Sequence, residues 1–162
     1  MRTLVVVRHA KSAWDTDEPD RLRPLAKRGR RQAPESGAWL AAHLANIDLA
    51  VVSPATRARA TWELIAAELE TAPPVRIDEQ VYAAWGGGLL DVVRSLPDDA
   101  ETVALVGHNP GVEGLVADLT GADVRMPTSA VAVVSWVGPW STADSAPARL
   151  RAHGRPPADL RD

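Results

Sequence analysis

The sequence predicts an α/β protein, a three-layer α/β/α sandwich with a mainly parallel central sheet, on three observations. Apolar, strand-like runs occur at about Thr3–Val7, Leu49–Val52, Val75–Ile77, Thr102–Val106 and Ala130–Trp136. Helix-period patterns fill most of the stretches between them, the alternation that crossover helices around a parallel sheet produce. The first and fourth runs are apolar without a break, as strands covered on both faces are.

Taken in order, the first strand ends in Arg8-His9, which a parallel strand would deliver to the crevice at its carboxyl end. The first helix falls within Ala26–Leu44, where Ala33, Gly37, Leu40, Ala41 and Leu44 recur at helical spacing. Pro34 is expected to kink it or delay its start. After the second strand, Ser53 can cap a helix that opens with Pro54 at its first position and runs to about Leu69. The segment Ala83–Gly88, with three consecutive glycines beside Trp85, reads as a mobile loop near the site or a tight connection. A third helix covers about Leu89–Ser95. The fourth strand ends in Gly107-His108-Asn109-Pro110-Gly111, with a helix from Pro110, capped by Asn109, through Leu119 to a stop at Gly121. Arg149–His153 can add a short edge strand. Pro156 and Pro157 make the residues from Gly154 onward a surface tail, 154–162.

A chain of 162 residues suits one domain, 1–162, and shows no internal repeat. The net charge of -3 disfavours a general nucleic-acid binder. The absence of cysteine excludes disulfides, thiolate catalysis and cysteine-held metal. No leader-type segment opens the chain and no run of 18 apolar residues interrupts it, so a cytoplasmic protein with no membrane partner is expected.

Two of the four histidines, His9 and His108, stand directly after apolar strands. In a parallel sheet they converge with Arg8 and with Arg57, which lies in the first turn after Ser53-Pro54. The helices expected after Ser53 and after His108 add N-terminal free amides and a positive dipole end. Two guanidinium groups, two imidazoles and helix N-termini describe an anion pocket. No carboxylate pair or third ligand accompanies the histidines, so neither a metal nor another cofactor is expected. A phosphoryl group fits: its peripheral oxygens suit bidentate arginines, and an unprotonated imidazole can attack its phosphorus.

Arg8-His9 after the first strand, Ser53-Pro54-x-x-Arg57-Ala58-x-x-Thr61, and Gly107-His108-Asn109-Pro110-Gly111 together resemble the histidine phosphatase superfamily. The form Arg8-His9-Ala10-Lys11-Ser12, the short chain, and Arg23-Pro24-Leu25 ahead of Arg28–Ala33 resemble its small SixA-like phosphohistidine phosphatase branch. The resemblance spans roughly Met1 to Trp136. It implies a phosphoglycerate mutase-like fold and a metal-independent phosphatase, with His9 as the phosphorylated nucleophile and Arg8, Arg57 and His108 as the clamp on the phosphoryl oxygens. One departure bears on substrate. Where phosphoglycerate mutase-like members carry a proton-donating glutamate, this chain has Val81-Tyr82-Ala83. Glu79 is the nearby candidate general acid. A missing acid favours phosphohistidine, whose imidazole leaves as a neutral ring, over an alkyl ester.

Lys11, Ser12 and Asn109 are secondary candidates for phosphate or substrate contact. Arg59 reads as surface charge, and His43 and His153 as structural or exposed. The basic run Arg21, Arg23, Lys27, Arg28, Arg30 and Arg31 reads as a solvated face, with an acidic or phosphorylated protein domain as its alternative partner. Nucleic acid is disfavoured because no aromatic is interleaved. Gly86-Gly87-Gly88 lacks the preceding strand and following Lys-Ser/Thr of a P-loop. The reading is a phosphohistidine phosphatase acting on a phosphorylated protein domain or a small phosphorylated metabolite, as a monomer or weak dimer. A small-molecule phosphomonoesterase and a non-catalytic phosphohistidine- or phosphate-binding regulator are the alternatives.

Overall fold

A computed structural model describes residues 1–83 and 87–162. The strands are β1 (Arg2–Arg8), β2 (Leu49–Val52), β3 (Val75–Ile77), β4 (Thr102–Gly107), β5 (Val131–Trp136) and β6 (Arg149–Gly154). The helices are α1 (Lys27–His43), α2 (Thr56–Ala66), α3 (Glu79–Ala83), α4 (Gly87–Arg94) and α5 (Gly111–Thr120), with 3-10 turns at Asp20–Leu22 and Trp140–Thr142. The strands form one sheet in the order β3-β2-β4-β1-β5-β6. The first four are mutually parallel, while β5 runs antiparallel to both β1 and β6.

Strand alternation divides the apolar side chains between the two faces. Val5, Val7, Ala104, Val106, Val131 and Val133 join Leu40, Ala58, Trp62 and Ile65 of α1 and α2 on one side. Leu4, Val6, Val103, Leu105, Ala132 and Val134 join Leu90, Val93, Leu115 and Val116 of α4 and α5 on the other. Both faces of β1 and β4 are therefore covered, which is why Leu4–Val7 and Val103–Val106 are apolar without a break.

Four details differ from the expectations. α1 starts on time and passes through Pro34. Burial of Ala33, Ser36, Gly37 and Leu40 on either side of it outweighs the single backbone bond that proline removes. α2 begins at Thr56 rather than Pro54 and ends at Ala66, because Ser53 and Pro54 form the turn ahead of it; the Ser53 hydroxyl accepts only the Ala55 amide, at 3.2 Å. α5 begins at Gly111 with Pro110 in the capping position, and the Asn109 amide group turns to the Met126 carbonyl instead. A short helix, α3, precedes the glycine-rich segment. The expectation for that segment falls partly on 84–86, which lie outside the described residues, whereas Gly87 and Gly88 open α4. Gly121 ends α5 at a φ of 74°, a left-handed conformation that glycine adopts without steric cost.

The last residues fold back on the edge strand: the Arg161 amide donates to the Arg151 carbonyl at 2.9 Å, and Arg151 Nε donates to the Arg161 carbonyl at 2.8 Å. Among the described residues, no helix is long and apolar enough to cross a membrane.

Candidate functional site

The sheet register assembles the site. Arg8 pairs with Gly107 across β1 and β4, so His9 and His108 leave their strands at the same level, and their ring centroids stand 5.1 Å apart. On the far side of β4, Val52 pairs with Val106, and the next residue, Ser53, places its hydroxyl 2.7 Å from His108 Nε2. The chain then enters α2, whose first turn carries Arg57. Thr61 ties this helix to the nucleophile segment, since its hydroxyl accepts the Ala10 amide at 2.9 Å and donates to the Arg57 carbonyl at 2.7 Å. On the other flank, the Lys11 amide donates to Gln32 of α1 at 3.0 Å.

His9 is held in one tautomer. Its Nδ1 lies 2.8 Å from the Ala10 carbonyl oxygen, an acceptor only, so Nδ1 bears the proton and Nε2 keeps a lone pair. Burial, with 7% of the residue exposed, draws the imidazole pKa down to about 3. The Ala10 carbonyl opposes that shift, while the charges of His108, Arg57 and Arg8 reinforce it. His108 is drawn down to about 4, first by burial and then by Arg57, with Asp20 opposing. Both rings are therefore neutral near pH 7.

Three arginines surround them. Arg8 Nη1 donates to the Met126 carbonyl at 3.1 Å, and burial lowers its pKa against the stabilising charge of Glu113. Arg57 is 6% exposed and donates to Asp20 twice. Arg23, 7% exposed, donates to Ser12 Oγ at 2.9 Å and to Asp20 Oδ1 at 3.2 Å, and its guanidinium lies 3.6 Å from the centroid of the Trp14 ring. Asp20 also accepts the Tyr82 hydroxyl at 2.7 Å. This bond, with those from Arg57 and Arg23, holds its carboxyl down at about 2, ionised. The same bond raises the Tyr82 pKa, so the phenol stays neutral.

Arg8, His9, Lys11, Ser12, Trp14, Arg23, Arg57, His108, Asn109 and Thr128 line one cavity of about 210 Å³. On residues of this lining, the donors Arg8 Nε and Arg57 Nε are buried without a hydrogen-bond partner among the described residues, as are His108 Nδ1 and the acceptor Asn109 Oδ1. Unpaired buried donors are costly, and an oxyanion is the acceptor that matches them. Other hollows lie elsewhere, one at Met1, Trp136 and Arg149, one at Ala41 and Leu69 and one at Thr56 and Glu63, and among the described residues none of these three is lined by a histidine.

The structure thus gathers His9, Arg8, Arg57, His108, Lys11, Ser12 and Asn109 around one cavity. Ser12 is occupied by Arg23, and the Asn109 amide nitrogen by Met126, at 3.0 Å. Glu79 stands apart: it opens α3, its side chain is 69% exposed, and it pairs with Arg21. Sequence reasoning missed Asp20, Arg23, Tyr82, Trp14 and Thr128. Arg23 was counted within a solvated run, of which Lys27, Arg28, Arg30 and Arg31 are indeed exposed. Its signal was the neighbouring Pro24-Leu25, where the chain turns inward and Leu25 is buried. Asp20 has no comparable signal. His43 packs on Trp39 and hydrogen-bonds its carbonyl at 2.8 Å, whereas His153 and Arg59 are exposed.

The model of the histidine phosphatase superfamily (branch 1) matches residues 4–87. An uncharacterized protein of Mycobacterium tuberculosis is 35% identical over 155 residues, covering 89% of this chain and 96% of the relative. Among solved structures, a protein described as the phosphohistidine phosphatase SixA from Nakamurella multipartitia superposes with a TM-score of 0.83 at 31% identity, covering 94% of this chain and 95% of its own. The protein histidine phosphatase SixA complexed with tungstate shares the fold, with a TM-score of 0.80 at 23% identity over 93% and 95% of the two chains.

Proposed function

This chain belongs to the histidine phosphatase superfamily, branch 1, and we propose from that premise that it is a phosphohistidine phosphatase acting through a covalent phosphohistidine on His9. The observation that carries the reading is the fixed His9 tautomer, Nδ1 bonded to Ala10 and Nε2 free beside three arginines. The Nε2 lone pair attacks phosphorus, and the P–N bond of the substrate breaks with its electron pair returning to the substrate imidazole. That ring, protonated on its other nitrogen, leaves neutral. The phosphorylated His9 keeps its Nδ1 proton on the Ala10 carbonyl, so it is itself an imidazolium and a good leaving group. Water then attacks phosphorus, the P–Nε2 bond returns its pair to His9, and phosphate departs with one proton released to solvent.

Arg8 and Arg57 offer buried guanidinium N–H groups to the charge on the three equatorial oxygens. For His108, a Ser53 hydroxyl that donates to Nε2 leaves the proton on Nδ1, where it too can meet an oxygen. Charge compensation by arginine makes a metal-independent reaction the simplest reading, and activity that survives exhaustive chelation supports it. The substrate is a phosphorylated protein domain or a small phosphorylated metabolite. The tungstate bound by the related phosphatase, a tetrahedral oxyanion, accords with such a pocket.

The test is trapping. Brief exposure to labelled phosphohistidine should leave acid-labile, base-stable phosphate on the wild type and none on His9→Ala, with the fold intact. Label retained in His9→Ala but lost in His108→Ala would exchange the two roles.

A further inference from the structure

Of the residues lining the cavity, Trp14 alone is exposed, at 71%, while the others are buried or half-buried. It therefore marks the mouth. The Arg23 guanidinium stacks at 3.6 Å from its ring centroid, and Arg23 is in turn fixed by Ser12, the Ala13 carbonyl and Asp20. One side of the indole is thus held by an anchored cation, and the rest of the ring remains open to solvent beside the reacting groups. A single exposed aromatic is ordinary on a protein surface, but this one lines the anion cavity and is seated on a cation that is itself fixed. Its position therefore points to a ligand.

We propose that Trp14 is a specificity-determining residue that stacks a planar leaving group. The inference rests on the phosphatase reading above. In-line attack by His9 from the cavity floor drives the leaving group out on the opposite side, toward the mouth. A flat, unsaturated ring attached to the phosphoryl group can lie against the indole there, whereas ammonia or an alkoxide gains nothing from it. For phosphohistidine the reactive form carries an imidazolium, whose positive charge is attracted by the ring face. An aromatic platform favours that protonated form in a site with no carboxylic acid placed to supply the proton. The exposed apolar side chain of Leu22, on the turn that carries Asp20, is not part of the cavity lining and has no role in this proposal.

The experiment compares the full chain with Trp14→Ala and Trp14→Phe on three donors that share a phosphoryl group: free phosphohistidine, 4-nitrophenyl phosphate and phosphoramidate, which releases ammonia. In Trp14→Ala, kcat/KM should fall about three- to tenfold for the two planar leaving groups, the scale of one aromatic contact. The loss should be clearly smaller for phosphoramidate, which reports only what Arg23 loses with the ring, and Trp14→Phe should restore most of the loss on the planar donors. An equal loss on all three donors, or none, would overturn the stacking role. So would a loss confined to a phosphorylated protein domain assayed as a fourth donor, which would make Trp14 a protein-docking contact. If the wild type fails on phosphohistidine altogether, the substrate reading fails, yet the contrast between nitrophenyl phosphate and phosphoramidate still decides the role of Trp14.

Discussion

Asp20 lies across the end of the Arg57 guanidinium, its carbonyl oxygen accepting Nη1 at 2.7 Å and its carboxylate Oδ2 accepting Nη2 at 3.1 Å. Both terminal nitrogens of Arg57 are thereby fixed from one side, by a residue in a turn far from α2 in sequence. Its Nε is buried and without a protein partner among the described residues. The carboxylate is 54% exposed, so the ion pair itself adds little stability, and its weight falls on geometry.

Arg57→Lys is expected to lower kcat/KM by about 2–4 kcal/mol, the cost of losing a preorganised donor at a developing charge. An ammonium carries its three N–H groups on one nitrogen, so it cannot reproduce the planar fork that bonds Asp20 through Nη1 and Nη2 while a separate nitrogen, Nε, stays unengaged. Steady-state rates on a single donor decide it, and a near-normal value would separate Arg57 from the reacting group.

The pH dependence follows from the lowered imidazoles. His9 and His108 stay neutral until about pH 3 and 4, so the rate, corrected for ionisation of the substrate phosphate, should show no enzyme step near 6.5. Stability has the matching sign. Below 6.5 the unfolded chain takes up protons that the folded one refuses, so stability is full above 6.5 and falls as pH drops through the acid range. Asp20, held at about 2, adds a loss below its ordinary 3.8. Denaturant midpoints at pH 7.5, 6 and 5 measure the slope, and a midpoint that rises on acidification would contradict the buried neutral histidines.

Leaving-group dependence reports on the missing acid. With Glu79 paired to Arg21 on an exposed surface, rates should fall steeply from phosphohistidine and activated aryl phosphates to alkyl phosphates. Glu79→Gln should leave that series unaltered. Good turnover of alkyl esters that disappears in Glu79→Gln would identify a mobile general acid and a phosphomonoesterase.

Gly29 lets α1 press on the nucleophile segment. A Cβ at this position would overlap the Lys11 carbonyl oxygen, which accepts the Ala26 amide at 2.9 Å, and would come within 2.9 Å of the Lys11 amide nitrogen. Alanine gains about 1 kcal/mol of helix propensity over glycine, but forcing backbone apart costs about 1–3 kcal/mol, so Gly29→Ala should destabilise on balance. Activity should fall with it, because Ala10 and Lys11 set the His9 tautomer. Equilibrium unfolding and rates on one preparation test both, and a more stable, fully active variant would disprove the contact.

The sequence alone was enough to place the strands and to bring Arg8, His9, Arg57 and His108 to one cavity, for a definable physical reason. Val5–Val7 and Val103–Val106 must be buried on both faces, and burial of a parallel strand dictates where the residues after it emerge. Arg8, His9, His108 and, through the helix after Ser53-Pro54, Arg57 follow from local pattern. Helix starts at Thr56 and Gly111 were less legible, because the side chains that would cap them, Ser53 and Asn109, are engaged by His108 and Met126 across the sheet. Only the tertiary structure decided which surface charges belong to the site. Asp20 ends an acidic stretch and Arg23 lies in the basic one that follows, charges that any solvated turn could carry, and what singles them out is contact with Ser12, Trp14, Arg57 and Tyr82. The tautomer of His9 was likewise beyond sequence, since it depends on one carbonyl turned toward one ring nitrogen, a matter of backbone geometry that residue identity does not encode.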